Sequence, residues 1–418
     1  MKNFESSNNH EMNTSDRIFI RESAFRLAFL SIVVVLFFSG GCSINSLYTS
    51  DKLSLPNVGK VSESEIVQSV FLIGDAGEQE VDIREPVLVT LETEASKNPA
   101  RNAIVFLGDN VYPNGMPEQS DPQRPVAELR LTEQIRVIEN SKARGIFIPG
   151  NHDWGTGRSD SGVKLQREHE FITSKNNPQL EFSPAGGLPG PDILDIGEKI
   201  RIVTIDTEWW LQSNPKPLYS GSSGEGETKT AFLDSLSNAI TSAGKRYVIV
   251  VGHHPLDSHG IHSGFFDWKS HLFPLRNLAS WLWLPLPGIG SLYPFLRNHG
   301  LSNQDFSGAA YQDLRKALSG IFAKASPFVY ASGHEHVLEI LKSPGTHLNL
   351  VSGFGTSEHD PALTTGESTI FADRHTGFMR IDILSDGRGR LAVLEPSDEQ
   401  GTPSEVYSMW ITKEGTQP

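Results

Sequence analysis

Ile104-Val105-Phe106-Leu107-Gly108-Asp109-Asn110-Val111-Tyr112 is the stretch that decides how this chain folds. Four apolar residues without a polar interruption read as a strand buried on both faces. Gly108 ends the run and lets the chain turn sharply. Asp109 then stands at the C-terminal end of the strand, the edge where open α/β sheets gather ligands.

The same grammar recurs four times along the chain. Val67 to Ile73 runs into Gly74-Asp75-Ala76-Gly77, and Ile146-Phe147-Ile148 into Gly150-Asn151-His152-Asp153. Tyr247 to Val251 runs into Gly252-His253-His254-Pro255, and Phe328-Val329-Tyr330 into Gly333-His334-Glu335-His336. Ile200 to Ile205 is a further strand. Helical spacing lies between them: Leu129, Ile135 and Ile138 within 124–142, then Phe232, Leu233, Leu236 and Ile240 on one face. Ala310, Tyr311, Leu314, Leu318 and Ile321 stripe the segment 307–324. Shorter strands are expected around 337–341, 347–352, 377–384 and 390–395. Strands alternating with amphipathic helices predict an α/β layered domain. No internal repeat is present.

The 418 residues, 38% hydrophobic and 21% charged, are enough for one large domain with a sizeable core. Fifty acidic against 36 basic residues give a net charge of -14. That argues against a nucleic-acid groove, which needs Lys and Arg to replace counterions.

The boundaries follow from composition. Residues 1–42 read as an export signal: Arg17, Arg21 and Arg26 lead to the apolar run 27–38, too short for a membrane span. The run ends in Ser39-Gly40-Gly41-Cys42, holding the sole cysteine. Small residues before a cysteine resemble the bacterial lipobox, in which that cysteine is lipidated. Ser39 departs from the Leu usual three places before it. The alternative is a bystander cysteine after an ordinary signal or an uncleaved anchor. On the lipobox reading the protein is exported and held at a membrane, on its periplasmic or cell-surface side. Residues 43–64 read as a tether, 65–396 as the domain, and 397–418 as a loose tail. Residues 154–195, rich in Gly, Ser and Pro, read as active-site loop. Residues 256–305 are an insertion with Trp281-Leu282-Trp283-Leu284 and Leu292-Tyr293-Pro294-Phe295-Leu296. It reads as a lid, with a lipid-facing patch or a substrate-binding wall as alternatives.

The five motifs supply carboxylates, a carboxamide oxygen, a phenol and imidazoles, a ligand set for two hard-to-borderline ions. Neighbouring carboxylates repel unless cations lie between them. Two ions a few ångströms apart bind phosphate through two oxygens and generate hydroxide near neutral pH. An imidazole beside the leaving oxygen can act as general acid.

In their order, the motifs resemble the calcineurin-like metallophosphoesterase superfamily, and within it the purple acid phosphatase type, across roughly residues 66–355. Many superfamily members have His, a ligand of the first metal, where this chain has Gly77. Instead, Tyr112 falls where purple acid phosphatases have a phenolate ligand to ferric iron. The resemblance implies a layered sandwich of two mixed β-sheets flanked by helices. It also implies that Asp75, Asp109, Tyr112 and His336 hold the first metal, Fe(III). Asp109, Asn151, His253 and His334 would hold the second, Fe(II), Zn or Mn. His152 matches the residue that contacts phosphate and protonates the leaving group. His262 matches a further histidine nine residues after the fourth motif's ligand, with His259 as the weaker candidate.

Blander roles stand beside these. A Tyr after a strand is usually packing. His254 is expected to support the site, Asp153 to hydrogen-bond the site or cap the loop rather than bind metal, and Glu335 to be exposed or supporting. Asp206 could shape the site, while Trp209 and Trp210 are expected to pack. The functional expectation is hydrolysis of small phosphate monoesters by a metal-bound hydroxide. The alternatives are a phosphodiesterase or nucleotide hydrolase on the same site, and a non-catalytic surface lipoprotein with a structural metal.

Overall fold

The computed structural model describes residues 43–44, 47–50, 58, 60–80, 83–157, 160–277, 282–344, 346, 348–356 and 361–411. Cys42, the export signal and Trp281 lie outside the described residues. Among the described residues, no helix is long and apolar enough to cross a membrane.

Among the described residues, fifteen strands form two sheets. In chain order they are β1 (Tyr48–Thr49), β2 (Ile66–Ile73), β3 (Asn102–Phe106), β4 (Arg144–Phe147) and β5 (Leu180–Phe182). Next come β6 (Asp192–Ile196), β7 (Ile200–Thr204), β8 (Tyr247–Val251), β9 (Val329–Ser332) and β10 (Leu338–Leu341). The last are β11 (Leu348–Ser352), β12 (Thr369–Asp373), β13 (Phe378–Leu384), β14 (Gly389–Pro396) and β15 (Pro403–Ile411). One sheet runs β15-β14-β13-β2-β3-β4-β5, the other β1-β12-β10-β11-β9-β8-β7-β6. β2 to β5 are mutually parallel, as are β7, β8, β9 and β11. The remaining pairs are antiparallel, so both sheets are mixed.

The pleat sorts each strand between two cores. Val70, Leu72, Ala103 and Val105 meet Ile202, Ile249, Val251, Val329 and Ala331 between the sheets. Phe71, Ile73, Ile104 and Phe106 face the other way, among residues of the helices Pro86–Ala95 (α1) and Arg124–Ser141 (α2). This is why β3, β8 and β9 read as largely apolar runs: they are buried along their whole length. On the other sheet, Val248, Val250 and Tyr330 pack with Phe232 and Leu236 of Glu225–Thr241 and with Leu314, Leu318 and Phe322 of Ala309–Ala325. The architecture is the layered α/β sandwich the motifs implied.

Three sequence expectations change. The stretch 154–195 is not a long loop, because it contains the helix Ser161–Ser174 together with β5 and β6. Leu165 and Ile172 of that helix are buried, a sparse apolar face that Gly and Ser on either side obscured. The tail is not loose from 397: β15 pairs along the length of β14 and buries Tyr407, Met409 and Ile411. Within the supposed tether, Tyr48–Thr49 pair with β12, and the Ile44 N–H donates to the Leu363 carbonyl at 2.9 Å.

The described residues divide into two compact units, Phe266–Leu296 and the remainder. The smaller unit contains the helix Trp268–Leu272 and short helical turns at Pro274–Asn277 and Ile289–Ser291. Trp283, Leu284, Ile289, Leu292 and Phe295 in it are more than half exposed.

Candidate metal centre

All five motifs follow parallel strands, three in one sheet and two in the other, and their side chains meet at the strand ends. Their backbones are unusual there. Asp75, Asp109 and His334 have φ of 57°, 55° and 69°, a left-handed conformation that non-glycine residues rarely adopt and that clusters at functional sites. Hydrogen bonds between motifs hold it. The Asp75 N–H donates to the Gly108 carbonyl at 3.0 Å, and the His334 N–H donates to Asp75 Oδ2 at 2.8 Å. The Asp153 carboxylate accepts from the N–H groups of Asn110, Val111 and Gly150. It thereby locks the second and third motifs together, the capping role expected of it.

Gly77 meets a packing limit. A Cβ there would lie 2.2 Å from the Asn110 carbonyl carbon, so no side chain fits between the first two loops. The position that carries a histidine ligand in many relatives is closed in this backbone.

The Tyr112 phenol reaches the carboxylates from the second motif. Its hydroxyl lies 3.1 Å from Asp75 Oδ1, 3.1 Å from Asp109 Oδ2 and 3.0 Å from His336 Nε2. His336 Nε2 is 3.4 Å from Asp75 Oδ1. These are one group of four donor atoms. A second group centres on Asn151 Oδ1, 3.1 Å from His253 Nε2 and 3.0 Å from His334 Nδ1. Asp109 Oδ2 joins it, 3.3 Å from His253 Nε2. Neighbouring ligands on an octahedral ion with bonds of about 2.1 Å stand roughly 3 Å apart. Both groups have that spacing, and Asp109 Oδ2 belongs to both.

The histidines are oriented from behind. His253 Nδ1–H donates to the Leu107 carbonyl at 2.8 Å, leaving Nε2 for the site. His334 is reversed: Nε2–H donates to the Gln304 carbonyl at 2.9 Å, leaving Nδ1. A backbone carbonyl on the far nitrogen is the usual device that fixes the tautomer of a metal-binding imidazole. His254 is used up elsewhere, between Thr207 Oγ1 at 2.8 Å and Gln304 Oε1 at 2.7 Å. It supports the site, as expected.

The charges are crowded. Burial pushes the Asp75 carboxyl up to about 7, and the Asp109 charge adds to that. Burial also opposes ionisation of Asp109, but His253 and His152 overcome it and hold that carboxyl below the usual range. Burial works against a charged His253, yet Asp109 raises it to about 10. Burial beside Asp109 and Asp75 lifts the Tyr112 phenol well above its ordinary value. Anionic donors and a high-pKa phenol packed at van der Waals range fit cations as their natural counter-charge.

His152 and His262 flank the donor groups. His152 is half-exposed, its Nδ1–H donates to the Pro113 carbonyl, and its Nε2 lies 3.9 Å from Asp109 Oδ2. The His262 ring is 4.0 Å from the His334 ring. His262 Nδ1 lies 3.0 Å from Asp305 Oδ1 and 2.9 Å from an Arg297 nitrogen. His259 instead binds the buried Glu339. Glu335 is buried rather than exposed and accepts from the Ser263 N–H at 3.0 Å. Asp206 accepts from Trp154 Nε1 and the Trp209 N–H, so it anchors the packed tryptophans. Sequence reading missed Gln304 and Asp305, which brace His334 and His262. They lie in a polar loop with no strand before it, and nothing in their spacing marks them.

A family model for the calcineurin-like phosphoesterase matches residues 69–338, more than half of the chain. The chain belongs to the calcineurin-like phosphoesterase family. It is a metal-dependent phosphoric ester hydrolase, and the donor groups above fit the family's metal chemistry. No curated protein matches the sequence. Among solved structures, GAP50, the anchor in the inner membrane complex of Plasmodium, is similar with a TM-score of 0.51 at 16% identity. That match covers 82% of this phosphoesterase and 88% of GAP50. The purple acid phosphatase PPD1 from yellow lupin seeds is similar with the same TM-score and identity, over 82% of this chain and 53% of the lupin chain. At such identities the likeness is one of fold.

Proposed function

We propose that this phosphoesterase is an acid-phosphatase-like phosphomonoesterase with a mixed-valence iron-type or iron–zinc or iron–manganese centre. The observation that carries the reading is Asp109 Oδ2, 3.1 Å from the Tyr112 hydroxyl and 3.3 Å from His253 Nε2. Those two distances support its belonging to two ligand sets at once. Asp75, Asp109, Tyr112 and His336 would hold the first ion, and Asp109, Asn151, His253 and His334 the second. Phenolate, carboxylate and imidazole together favour ferric iron at the first position. Two such ions, when bound, supply positive charge for the phosphate oxygens and acidify a water.

The chain's own residues do the rest. His152 is half-exposed and its Nδ1 is committed to Pro113; its Nε2 contacts the phosphate and gives a proton to the leaving oxygen. His262, held by Asp305 and beside the His334 ring, orients the ester. The Asp153 carboxylate keeps the two central loops in register so that these groups stay aimed.

The test is direct. Purified protein should release the alcohol from an aryl phosphate monoester much faster than from the matching diester, and Asp109→Ala and Asn151→Ala should abolish both activities. Faster diester cleavage would replace the monoesterase reading with the phosphodiesterase one. Unchanged turnover in both variants would refute the site. We also propose export and lipid anchoring through Cys42. Wild-type protein should fractionate with membranes and Cys42→Ser should not; identical fractionation would remove the lipobox reading.

A further inference from the structure

The eight-stranded sheet hands the chain to the seven-stranded sheet between β12 and β13. Asp373 closes β12, paired opposite Leu338, and Glu395 lies near the end of β14, paired opposite Ser404. The connecting turn packs onto Glu395: a Cβ on Gly377 would meet Glu395 Cγ at 3.0 Å. His375 sits in that turn. The ligand atoms of Asp373, His375 and Glu395 all lie within 4.8 Å of one another.

Two features set this cluster apart from a solvated acidic face. Asp373 is 1% exposed and Glu395 8%, so both carboxyls are out of water. Each also has an oxygen with nothing to bond: Asp373 Oδ2 and Glu395 Oε1 are buried without a hydrogen-bond partner. Asp373 Oδ1 is satisfied by the N–H groups of Arg374 and His375 and by His375 Nδ1 at 2.7 Å. The two carboxyls lie within hydrogen-bonding reach of each other, so they face one another across the cluster. An orphaned buried carboxylate oxygen is expensive, and two facing each other need a cation or a shared proton between them.

We propose that Asp373, His375 and Glu395 form a separate cation site, taking one divalent ion of the zinc or manganese class. Two carboxylate oxygens and an imidazole nitrogen are that class's donors. Ligands on a tetrahedral ion with bonds of about 2.1 Å stand roughly 3.4 Å apart. The His375 side chain is 66% exposed, and its ring is already held beside Asp373, with Nδ1 2.7 Å from Oδ1. Bound there, the ion ties the ends of β12 and β14, and so clips one sheet to the other. The simpler occupant is a proton on Glu395 shared with Asp373, which burial and the Asp373 charge favour by raising the Glu395 carboxyl to about 8.

Metal counting separates the two. The full chain is stripped with chelator, equilibrated with zinc alone and analysed for bound zinc. His375→Ala and Glu395→Gln should each bind one equivalent fewer than wild type and lose part of the zinc-dependent rise in Tm. Asp109→Asn should lose zinc from the dinuclear centre yet still differ from the Asp109→Asn, Glu395→Gln double variant by one equivalent. That difference keeps this site distinguishable from failure of the dinuclear reading. Equal zinc content in wild type, His375→Ala and Glu395→Gln would overturn the proposal and leave the shared proton. Should Glu395→Gln fail to fold, the exposed position of His375 lets His375→Ala decide alone.

Discussion

At the scale of single residues, Gly77 and Tyr112 are one design. The first loop passes so close to Asn110 that only a glycine fits, and the phenol of Tyr112 reaches the donor cluster instead. Gly77→Ala forces a backbone contact that no rotamer relieves. It should destabilise the protein by about 1–3 kcal/mol, read as a lower denaturation midpoint, and displace Asp109 enough to cost most of the turnover. Tyr112→Phe keeps the packing and removes the oxygen. If ferric iron binds the phenolate, iron-loaded wild type should show a visible absorption band that Tyr112→Phe lacks, with first-site affinity down at least about tenfold. A wild-type protein that is colourless when loaded with iron would remove the iron assignment and leave the metal site.

At the scale of elements, strand ends legible in the sequence are where they were expected, because five largely apolar runs each lead into a polar motif headed by glycine. Elements with weaker patterns were not legible. β15 reads Pro-Ser-Glu-Val-Tyr-Ser-Met-Trp-Ile, and its polar half suggested a tail. Its inward face, Tyr407, Met409 and Ile411, is nevertheless buried in the core between the sheets. Truncation after residue 402 should therefore destabilise the whole domain, since each large apolar side chain removed from a core costs about 2–5 kcal/mol. A truncated protein with unchanged Tm by calorimetry would show that β15 contributes nothing. The helix Ser161–Ser174 escaped for the same reason: flanking Gly, Ser and Pro outweighed its short apolar face.

At the scale of the whole molecule, protons and metals compete for one buried site. In the metal-free protein the Asp75 carboxyl is pushed up to about 7 and His253 up to about 10. Both therefore carry protons, wholly or in part, at pH 7 and must lose them to bind metal. Apparent metal affinity should rise with pH between about 6 and 8. Titration calorimetry in buffers of different ionisation enthalpy should register proton release on binding. Chelation should lower Tm and abolish turnover, and metal should restore both. An affinity independent of pH would mean that these groups are not the ligands.

The sequence by itself determined the donor inventory and the strand-end positions, because a buried strand, a glycine and a polar residue are local chemistry. Only the family resemblance marked His262 over His259, and nothing in the sequence pointed to Gln304 or Asp305. The tertiary structure decided which donors meet. Asp109 and His253 are 144 residues apart in sequence, yet their atoms are 3.3 Å apart because the side chains that follow parallel strands of two sheets meet at the strand ends. It likewise decided that Asp373 and Glu395 face each other across the sheets, since neither residue carries a local signal. Contacts between distant strands depend on register and layer packing, which no short stretch of sequence encodes.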